Sequence, residues 1–320
     1  MTRPLVLIVS PALAGANNGN WQTAWRWSRL LAPHYRTQII PSWQAGEQPQ
    51  AAALLALHAR RSAETIAAWA QAHPHRGLAV VLTGTDLYRD IHHDAAAQRS
   101  LALAQRLVVL QELGPQALPA AYRAKTRVIF QSTTTRRTLD KTGARLRAVM
   151  VGHLREEKGP QTLWAAARLL RDHPDIRIDH IGEALDPSLA TAARSTMADC
   201  PAYRWLGGLP HEAVRRHIQR AHLLVHCSRM EGGAHVLMEA VCSGTPVLAT
   251  RIEGNVGMLG ADYGGYFPVD DAAALAGLLQ RCRDAPDRVL ALRAQCGLRA
   301  PLFAPAAEQA ALLALLQDLT

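Results

Sequence analysis

Lysine is nearly absent from this chain of 320 residues, in which only Lys125, Lys141 and Lys158 occur. The other basic residues are arginines, and the net charge reaches +9. These arginines are scattered and do not form the basic stripe with interleaved aromatic residues that is typical of nucleic-acid binding. Two interpretations of the charge stay open: a compositional preference for arginine, or a basic cleft for a phosphorylated small molecule.

Cysteine is also scarce, with five residues and no Cys-x-x-Cys pair. An odd count without that spacing argues against a disulfide framework or a zinc knuckle and favours a reducing compartment. No apolar run reaches the roughly 18 residues that a membrane span needs. The apolar start, residues 5–10, is shorter than the hydrophobic region of a signal peptide. We therefore expect a cytoplasmic protein.

Short β-branched runs alternate with longer Ala/Leu-rich stretches along the chain. In the first half, the pattern predicts strands at 5–10, 37–40, 78–82, 106–110 and 127–130, and helices at 20–32, 48–72 and 95–104. In the second half, it predicts strands at 146–152, 176–182, 203–207, 222–228, 245–250 and 264–269, and helices at 160–172, 186–198, 210–220, 234–243, 271–283 and 286–298. This alternation is typical of α/β proteins with parallel sheets.

The pattern restarts after the polar stretch 135–145. We therefore predict two doubly wound, Rossmann-like domains, at 1–143 and 144–303, which face each other across a cleft. A final helix at 304–320 is expected to pack back on the first domain. Ligands of such sheets bind outside the carboxyl ends of the strands, so residues at those ends are the candidates for function.

The loop after the first strand is rich in glycine and asparagine, with Gly15, Asn18, Gly19 and Asn20. Its backbone N–H groups, beside the start of a helix, could bind a phosphate or another acceptor group. A plain connection between strand and helix is the alternative.

A polar segment follows the run 78–82, and we expect it to line an acceptor site with Thr83, Gly84, Thr85, Asp86 and Arg89. His92, His93 and Asp94 follow and raise the question of a metal site. Neighbouring residues on a helix point about 100° apart, and no further ligand set is visible. We expect a solvated helix face there and no metal ion.

Basic residues crowd the predicted loop between Gly152 and Pro160, where His153, Arg155 and Lys158 occur. Proline at the first helical position indicates that a helix follows. Arginine and lysine at the end of a strand can clamp a diphosphate, and a compact ammonium is a good contact for a departing phosphate. Solvated loop charges are the alternative.

The stretch SRMEGGAHVLMEAVCSGTPVLAT, residues 228–250, holds Glu231 and Glu239 eight positions apart. At about 1.5 Å per residue they are separated by about 12 Å, similar to the length from a hexose to a ribose across a diphosphate. A helix start near Gly233 or Ala234 would let the N–H groups near Gly232 and Gly233 contact the diphosphate. Alternatively, the two carboxylates are a first-turn acid favoured by the helix dipole and an ordinary surface charge.

A glycine-rich stretch follows the next strand and includes Gly254, Asn255, Val256 and Gly257. It is expected to form a loop at the same edge of the sheet and to contact an anionic or sugar ligand through backbone amides.

These motifs occur in the order VGHLREEKG, SRMEGGAHVLMEAVCSGTPVLAT and GNVG, and in that order they resemble the GT-B glycosyltransferases of family 4. The hallmark of that family is two glutamates with seven residues between them, which Glu231 and Glu239 satisfy. The resemblance covers most of the chain. One departure is His153, which stands where the family has arginine after the glycine.

Four further stretches, TGTDLYRDI, VIFQS, MEGGAHVLMEA and EGNVGMLGADYGGYFP, look like the selenosugar synthases of selenoneine biosynthesis. That resemblance implies transfer of N-acetylglucosamine, or glucose, from a UDP-sugar to selenophosphate, with release of UDP and phosphate. It implies no cofactor and no metal ion, and the absence of an Asp-x-Asp motif agrees with that.

The resemblance also implies roles for single residues. Glu239 accepts hydrogen bonds from the ribose hydroxyls, Glu231 binds the hydroxyls of the transferred sugar, and Lys158 stabilises the departing diphosphate. Arg155, or His153 as a weaker donor, replaces the missing arginine. Three other interpretations stay open: a family-4 enzyme with a hydroxyl acceptor, a UDP-sugar epimerase, and a nucleotide-sugar sensor without turnover.

Overall fold

The computed structural model describes residues 3–12, 19–46, 51–74 and 77–320. The chain folds into two compact units. Unit 1 comprises residues 1–132, 231–233 and 302–320, and unit 2 comprises residues 133–230 and 234–301. Both units are α/β with a parallel sheet, which confirms the predicted fold class.

Unit 1 has a six-stranded sheet in the order β2-β1-β3-β4-β5-β6, in which all neighbouring strands are parallel. Its strands are β1 (Leu5–Val9), β2 (Arg36–Ile40), β3 (Ala51–Leu57), β4 (Leu78–Val81), β5 (Arg106–Val109) and β6 (Thr126–Val128). Its helices are α1 (Gly19–Leu31), α2 (Ala63–Ala72), α3 (Ile91–His93), α4 (Ala95–Leu103), α5 (Gly114–Ala117) and α6 (Ala120–Arg123).

Unit 2 has a second parallel sheet in the order β12-β11-β10-β7-β8-β9. Its strands are β7 (Leu146–Val151), β8 (Ile176–Ile181), β9 (Tyr203–Trp205), β10 (Leu223–His226), β11 (Val247–Thr250) and β12 (Tyr266–Phe267). Its helices are α7 (Pro160–Leu169), α8 (Pro187–Asp199), α9 (His211–Arg220), α10 (His235–Val241), α11 (Glu253–Leu259), α12 (Ala272–Asp284) and α13 (Pro286–Arg299).

One predicted helix is wrong. Residues 51–57, which the sequence placed inside a helix at 48–72, form β3 between β1 and β4. Six of these seven residues are buried, and none of them is exposed. A central strand of a parallel sheet is covered on both faces, so it reads as a continuous apolar run without alternation. Here burial outweighs the helix preference of alanine and leucine.

The boundary between the units lies between Ser132 and Thr133, eleven residues before the one predicted between 143 and 144. The segment 133–142 belongs to unit 2 because it is hydrogen-bonded to that unit. The N–H of Arg136 donates to the carbonyl of Cys242, and Gln219 donates its side-chain amide to the carbonyl of Arg137. A polar composition was therefore a poor marker of a linker in this stretch.

The last helix, α14 (Pro305–Leu319), belongs to unit 1 and packs against α1. Its leucines join the apolar core around Trp27 and Leu31. The carboxylate of Glu308 is buried in this contact. It accepts hydrogen bonds from Trp27 Nε1 at 2.7 Å, from Arg26 Nε at 2.8 Å and from the N–H of Ser132 at 2.8 Å.

We expect Glu308→Gln to lower the free energy of unfolding by about 3 kcal/mol, because the buried carboxylate would be lost and the partly buried Arg26 would lose its counter-charge. Urea unfolding followed by circular dichroism measures the effect. Asp318→Asn is the matched control: it lies on the same helix and pairs with Arg106 and Arg127 at the surface, so its loss should cost less than about 1 kcal/mol. Equal losses for the two variants would contradict this account.

Among the described residues, no helix has the length and hydropathy that crossing a membrane requires.

Candidate active site

The loop that follows β7 in unit 2 packs closely against the end of the neighbouring strand β10. It contains a 3₁₀ turn, Glu156–Lys158, and ends at Gly159, which has a φ of 60°. A Cβ at Gly159 would lie 2.4 Å from the carbonyl oxygen of Cys227, so both the conformation and the contact require glycine. The side chain of Lys158 runs back towards Gly152, where an added Cβ would lie 3.7 Å from its Cγ and Cδ. The lysine is therefore positioned at the carboxyl end of β7.

His153 in this loop is a neutral donor. Its Nδ1 accepts a hydrogen bond from the N–H of Glu183 at 3.2 Å. Burial, with the nearby charge of Arg155, lowers the pKa of His153. The neutral ring then carries its proton on Nε2, which can donate to an anion. The role of His153 as a weaker donor to a diphosphate stays a prediction.

Glu239 lies in the middle of α10 and is almost fully buried. His211 Nε2 lies 2.6 Å from its Oε1, His235 Nδ1 lies 3.4 Å away, and Arg215 Nη1 lies 3.7 Å away. Each of these shortest contacts goes to the same oxygen. The hydrogen bonds from His211 and His235 outweigh the effect of burial and lower the pKa of Glu239 well below its ordinary value. The group is therefore a buried carboxylate that stays ionised at neutral pH, not an ordinary surface charge.

The groups around Glu239 are fixed by unit 2 itself. Arg215 is buried and donates to the hydroxyl of Thr133 at 2.8 Å and to the carbonyl of Thr134 at 3.1 Å. The hydrogen bond to Glu239 raises the pKa of His211. Sequence reasoning missed His211, Arg215 and His235. His235 could have been found, because it lies four positions before Glu239 on a predicted helix, whereas the other two come from α9.

Residues 254–257 form part of α11, not the predicted loop. Gly254, Asn255 and Gly257 are buried in this helix. Asn255 Nδ2 donates to the carbonyl of Thr250 at 2.8 Å and so ties α11 to the end of β11. Asn255 Oδ1 is buried without a hydrogen-bond partner among the described residues. Most backbone N–H groups of this stretch are therefore used in hydrogen bonds of the helix. Fewer of them are available to a ligand than in the predicted loop.

Residues 231–233 group with unit 1, although they come shortly before α10 of unit 2. A Cβ on Gly232 would lie 2.5 Å from the carbonyl group of Thr83, and a Cβ on Gly233 would lie 2.7 Å from Cβ of Leu110. The two glycines are required because the chain passes directly over backbone and side chain at the carboxyl ends of β4 and β5. Glu231, partly buried, is the residue before this contact.

The segment after β4 holds Thr83, Gly84 and Asp86 in one hydrogen-bonded turn. Asp86 is fully buried and accepts from the N–H groups of Thr83 at 2.8 Å, Gly84 at 2.9 Å and Ala59 at 2.9 Å. Its carboxylate therefore supports the turn.

Thr85 and Arg89 follow in this segment. Arg89 lies in a π-helical turn, Asp86–Asp90, and pairs with Asp90 at 3.1 Å. Its side chain is about half exposed.

His58, which the sequence reasoning missed, lies at the carboxyl end of β3 beside this turn. It is buried and has a φ of 75°, a conformation that is uncommon for a residue with a side chain. Its Nε2 lies 3.2 Å from the hydroxyl of Thr85, and its Nδ1 lies 3.8 Å from Asp86. Strained backbone of this kind clusters at functional sites. The position was hidden because the preceding strand had been predicted as helix.

The remaining predicted residues are less informative. Gly15 and Asn18 lie outside the described residues, while Gly19 and Asn20 form the first turn of α1. Asp94 accepts from the N–H of Ala97 and so caps α4, and His92 and His93 are exposed. In the part of the chain that the structure describes, no group of three His, Cys, Asp or Glu residues could hold a metal ion.

Solved structures share this fold over the whole chain. Sucrose-phosphate synthase from Thermosynechococcus elongatus superposes with a TM-score of 0.78 at 16% identity and covers 99% of each chain. HepE from Anabaena, solved in complex with UDP, superposes with a TM-score of 0.76 at 15% identity and covers 99% of this chain and 100% of that one. Two parallel Rossmann-like sheets of this kind define the GT-B class.

The chain belongs to the family described as "Glycosyl transferases group 1", whose sequence model matches residues 102–300. A curated relative, the D-inositol 3-phosphate glycosyltransferase of Corynebacterium kroppenstedtii, is 33% identical over 153 residues. That alignment covers 43% of this chain and 33% of the relative, so the match extends over about a third of the relative's length. The sequence resemblance to GT-B glycosyltransferases is therefore confirmed at the level of fold and family.

Proposed function

We propose that the protein transfers a sugar from a UDP-sugar to selenophosphate. The favoured sugar is the hexosamine N-acetylglucosamine, and glucose is the second choice. The observation that carries the donor half of this proposal is Glu239, a buried carboxylate that is held charged by His211, His235 and Arg215. A fixed anion of this kind accepts hydrogen bonds from a vicinal diol such as that of a ribose. The selenophosphate half depends on the sequence resemblance of the stretches TGTDLYRDI and EGNVGMLGADYGGYFP.

Donor binding requires cationic and N–H groups for the diphosphate. The loop after β7 offers Lys158 at the strand end and His153 as a neutral donor, with Arg155 between them. We propose that Lys158 and Arg155 stabilise the negative charge of the departing diphosphate. Cations that are already fixed in place stabilise a developing anion without having to reorganise. Glu231 is assigned to the hydroxyls of the sugar.

The acceptor is assigned to the carboxyl end of the unit 1 sheet, at Thr83–Thr85 and His58. The selenium atom of selenophosphate attacks C1 of the sugar, the C1–O bond to the diphosphate breaks, and UDP leaves with the electron pair. Hydrolysis of the Se–P bond by water then yields the selenosugar and phosphate. Selenophosphate is already anionic, so the attacking atom needs little help from a general base.

The proposal predicts that UDP release from UDP-N-acetylglucosamine depends on selenophosphate. A coupled UDP assay with mass spectrometry of the sugar product measures both outcomes. In the same assay, Lys158→Ala should lower kcat/KM between about 10- and 100-fold, because the departing diphosphate loses a fixed cation. Lys125→Ala is the matched control, since this lysine lies in unit 1 and donates to the carbonyl of Ala104.

The alternatives give different results in this assay. UDP release with a hydroxyl acceptor and none with selenophosphate would mean a group 1 enzyme of another specificity. Interconversion of UDP-sugars without UDP release would mean an epimerase, and binding without turnover would mean a sensor. An unchanged rate in Lys158→Ala would contradict the assignment of the diphosphate loop.

A further inference from the structure

We infer that unit 2 carries a second anion-binding site, which we call the arginine pocket, for a small, multiply charged oxyanion of the phosphate class. The pocket encloses about 170 Å³ between α9 and the strands β7 and β8. Its polar lining consists of Arg147, Asp179, Arg216, His217 and Arg220.

The strands bring two positive charges directly opposite each other. Arg147 of β7 and Arg177 of β8 are partners in the parallel register, and Asp179 is the partner of Arg204 on β9. Residues two apart on a strand share a face, so these side chains lie on one face of the sheet. Like charges directly opposite destabilise a sheet unless something neutralises them.

Helix α9 adds charge from the other side. Ala213, Arg216, His217 and Arg220 all line the pocket. Their spacing of three, four and seven positions places them on one side of the helix. The pocket is therefore lined by three arginines from two elements, Arg147 of β7 and Arg216 and Arg220 of α9, with Arg177 and Arg204 close by on β8 and β9.

The protein supplies little negative charge in return. Asp179 is the one carboxylate among the described residues that line the pocket, and Arg204 holds it with Nε at 2.8 Å and Nη2 at 2.9 Å. In the described parts of the chain, no ion pair involves Arg147, Arg216 or Arg220. Arg177 Nε is buried and has no hydrogen-bond partner among the described residues, and its ion pair with Asp179 Oδ1 is long, at 3.8 Å.

The electrostatic surroundings of Arg177 are predominantly positive. Burial lowers the pKa of Arg177, and the charges of Arg204, Arg145 and Arg147 lower it further against the single opposing effect of Asp179. A guanidinium whose pKa is lowered by its neighbours is stabilised when a ligand brings negative charge. A guanidinium group can donate two parallel hydrogen bonds to two oxygens of one phosphate. This geometry favours a ligand of the phosphate class over a monovalent halide.

The arginine pocket is separate from the loop after β7. Arg147 is the second residue of β7, whereas Gly152 follows the last one. Five positions along a strand correspond to about 16 Å. The inference therefore does not depend on the proposed glycosyl transfer, and an inactive protein would still test it.

Isothermal titration calorimetry of the full chain with pyrophosphate tests the proposal. We expect binding that the double variant Arg147→Gln/Arg220→Gln weakens at least tenfold. The control Arg99→Gln/Arg171→Gln removes the same charge from exposed positions and should bind as the unaltered protein does. Lys158→Ala should also retain this binding, which separates the pocket from the loop after β7.

Thermal unfolding distinguishes a ligand site from a purely structural role. If the arginines form an anion site, the double variant should unfold at the same or a higher temperature without ligand and should lose the upward shift caused by pyrophosphate. A lower melting temperature together with an unchanged pyrophosphate shift would overturn the proposal. Sedimentation with phosphatidylglycerol vesicles, in the absence of any response to free pyrophosphate or phosphate, would also overturn it in favour of a lipid surface.

Discussion

Replacing Glu231 by glutamine is expected to lower kcat/KM for sugar transfer by about 10³-fold while the protein stays folded. The carboxylate is assigned to the sugar hydroxyls, where its hydrogen bonds hold the reacting carbon. Its position is set by the two glycines that follow, since Gly232 and Gly233 have no room for a side chain against Thr83 and Leu110. The large effect is expected because a carboxylate on so constrained a chain cannot be replaced by a neighbouring residue.

The Glu231→Gln experiment separates chemistry from binding. The affinity for UDP alone should stay within about threefold, since UDP has no sugar for this residue to contact. Glu64→Gln, an exposed acid in the first turn of α2, serves as the matched control and should keep full activity. Full transfer activity in Glu231→Gln, or an equal loss of UDP affinity, would refute the assigned role.

Much of the fold could be predicted because strand and helix alternate regularly in the sequence. The run 223–226 shows why: its apolar residues are bounded by polar ones, and it forms β10 in the centre of its sheet. The alanine-rich β3 is the counterexample, since its residues favour a helix locally and only the surrounding sheet makes them a strand. Contacts over long sequence distances decide such a segment, and its composition does not display them.

The candidate site was predictable where its residues are close in sequence. Lys158 and Glu239 stand in recognisable motifs, and the structure gives each of them a defined environment. Arg215 and His211 could not be found in that way, because α9 reaches Glu239 only after folding. His58 was likewise hidden, since its φ of 75° has no signature in the sequence.

Glu239→Gln is expected to raise the Kd for a UDP-sugar about 100-fold, through the loss of two charge-assisted hydrogen bonds of about 1.5 kcal/mol each. The loss should appear equally with UDP, because the assigned contact is the ribose. Calorimetric titration with both ligands measures it. This pattern differs from that of Glu231→Gln, in which only the sugar-bearing ligand is affected.

Glu239→Gln also leaves the buried Arg215 without its counter-charge, so its fold needs a separate check. His211→Gln provides the second variant, because His211 is mostly exposed and Arg215 keeps its carboxylate. If His211 only positions Glu239, its loss should raise KM for the UDP-sugar about tenfold and leave kcat unchanged. A change in kcat alone would contradict a positioning role.

The pH dependence of stability gives a further readout for His211. Glu239 raises its pKa above the ordinary 6.5, and Arg215 opposes this effect while Glu212 supports it. A raised pKa means that the folded protein holds the proton more tightly than the unfolded chain does. The stabilisation is therefore fully present below about pH 6.5 and is lost as the pH rises through the pKa of the folded state. The difference in melting temperature between the unaltered protein and His211→Gln should accordingly be largest near pH 5.5 and vanish at about pH 9. A difference that grows with pH would show that His211 does not act as a cation beside Glu239.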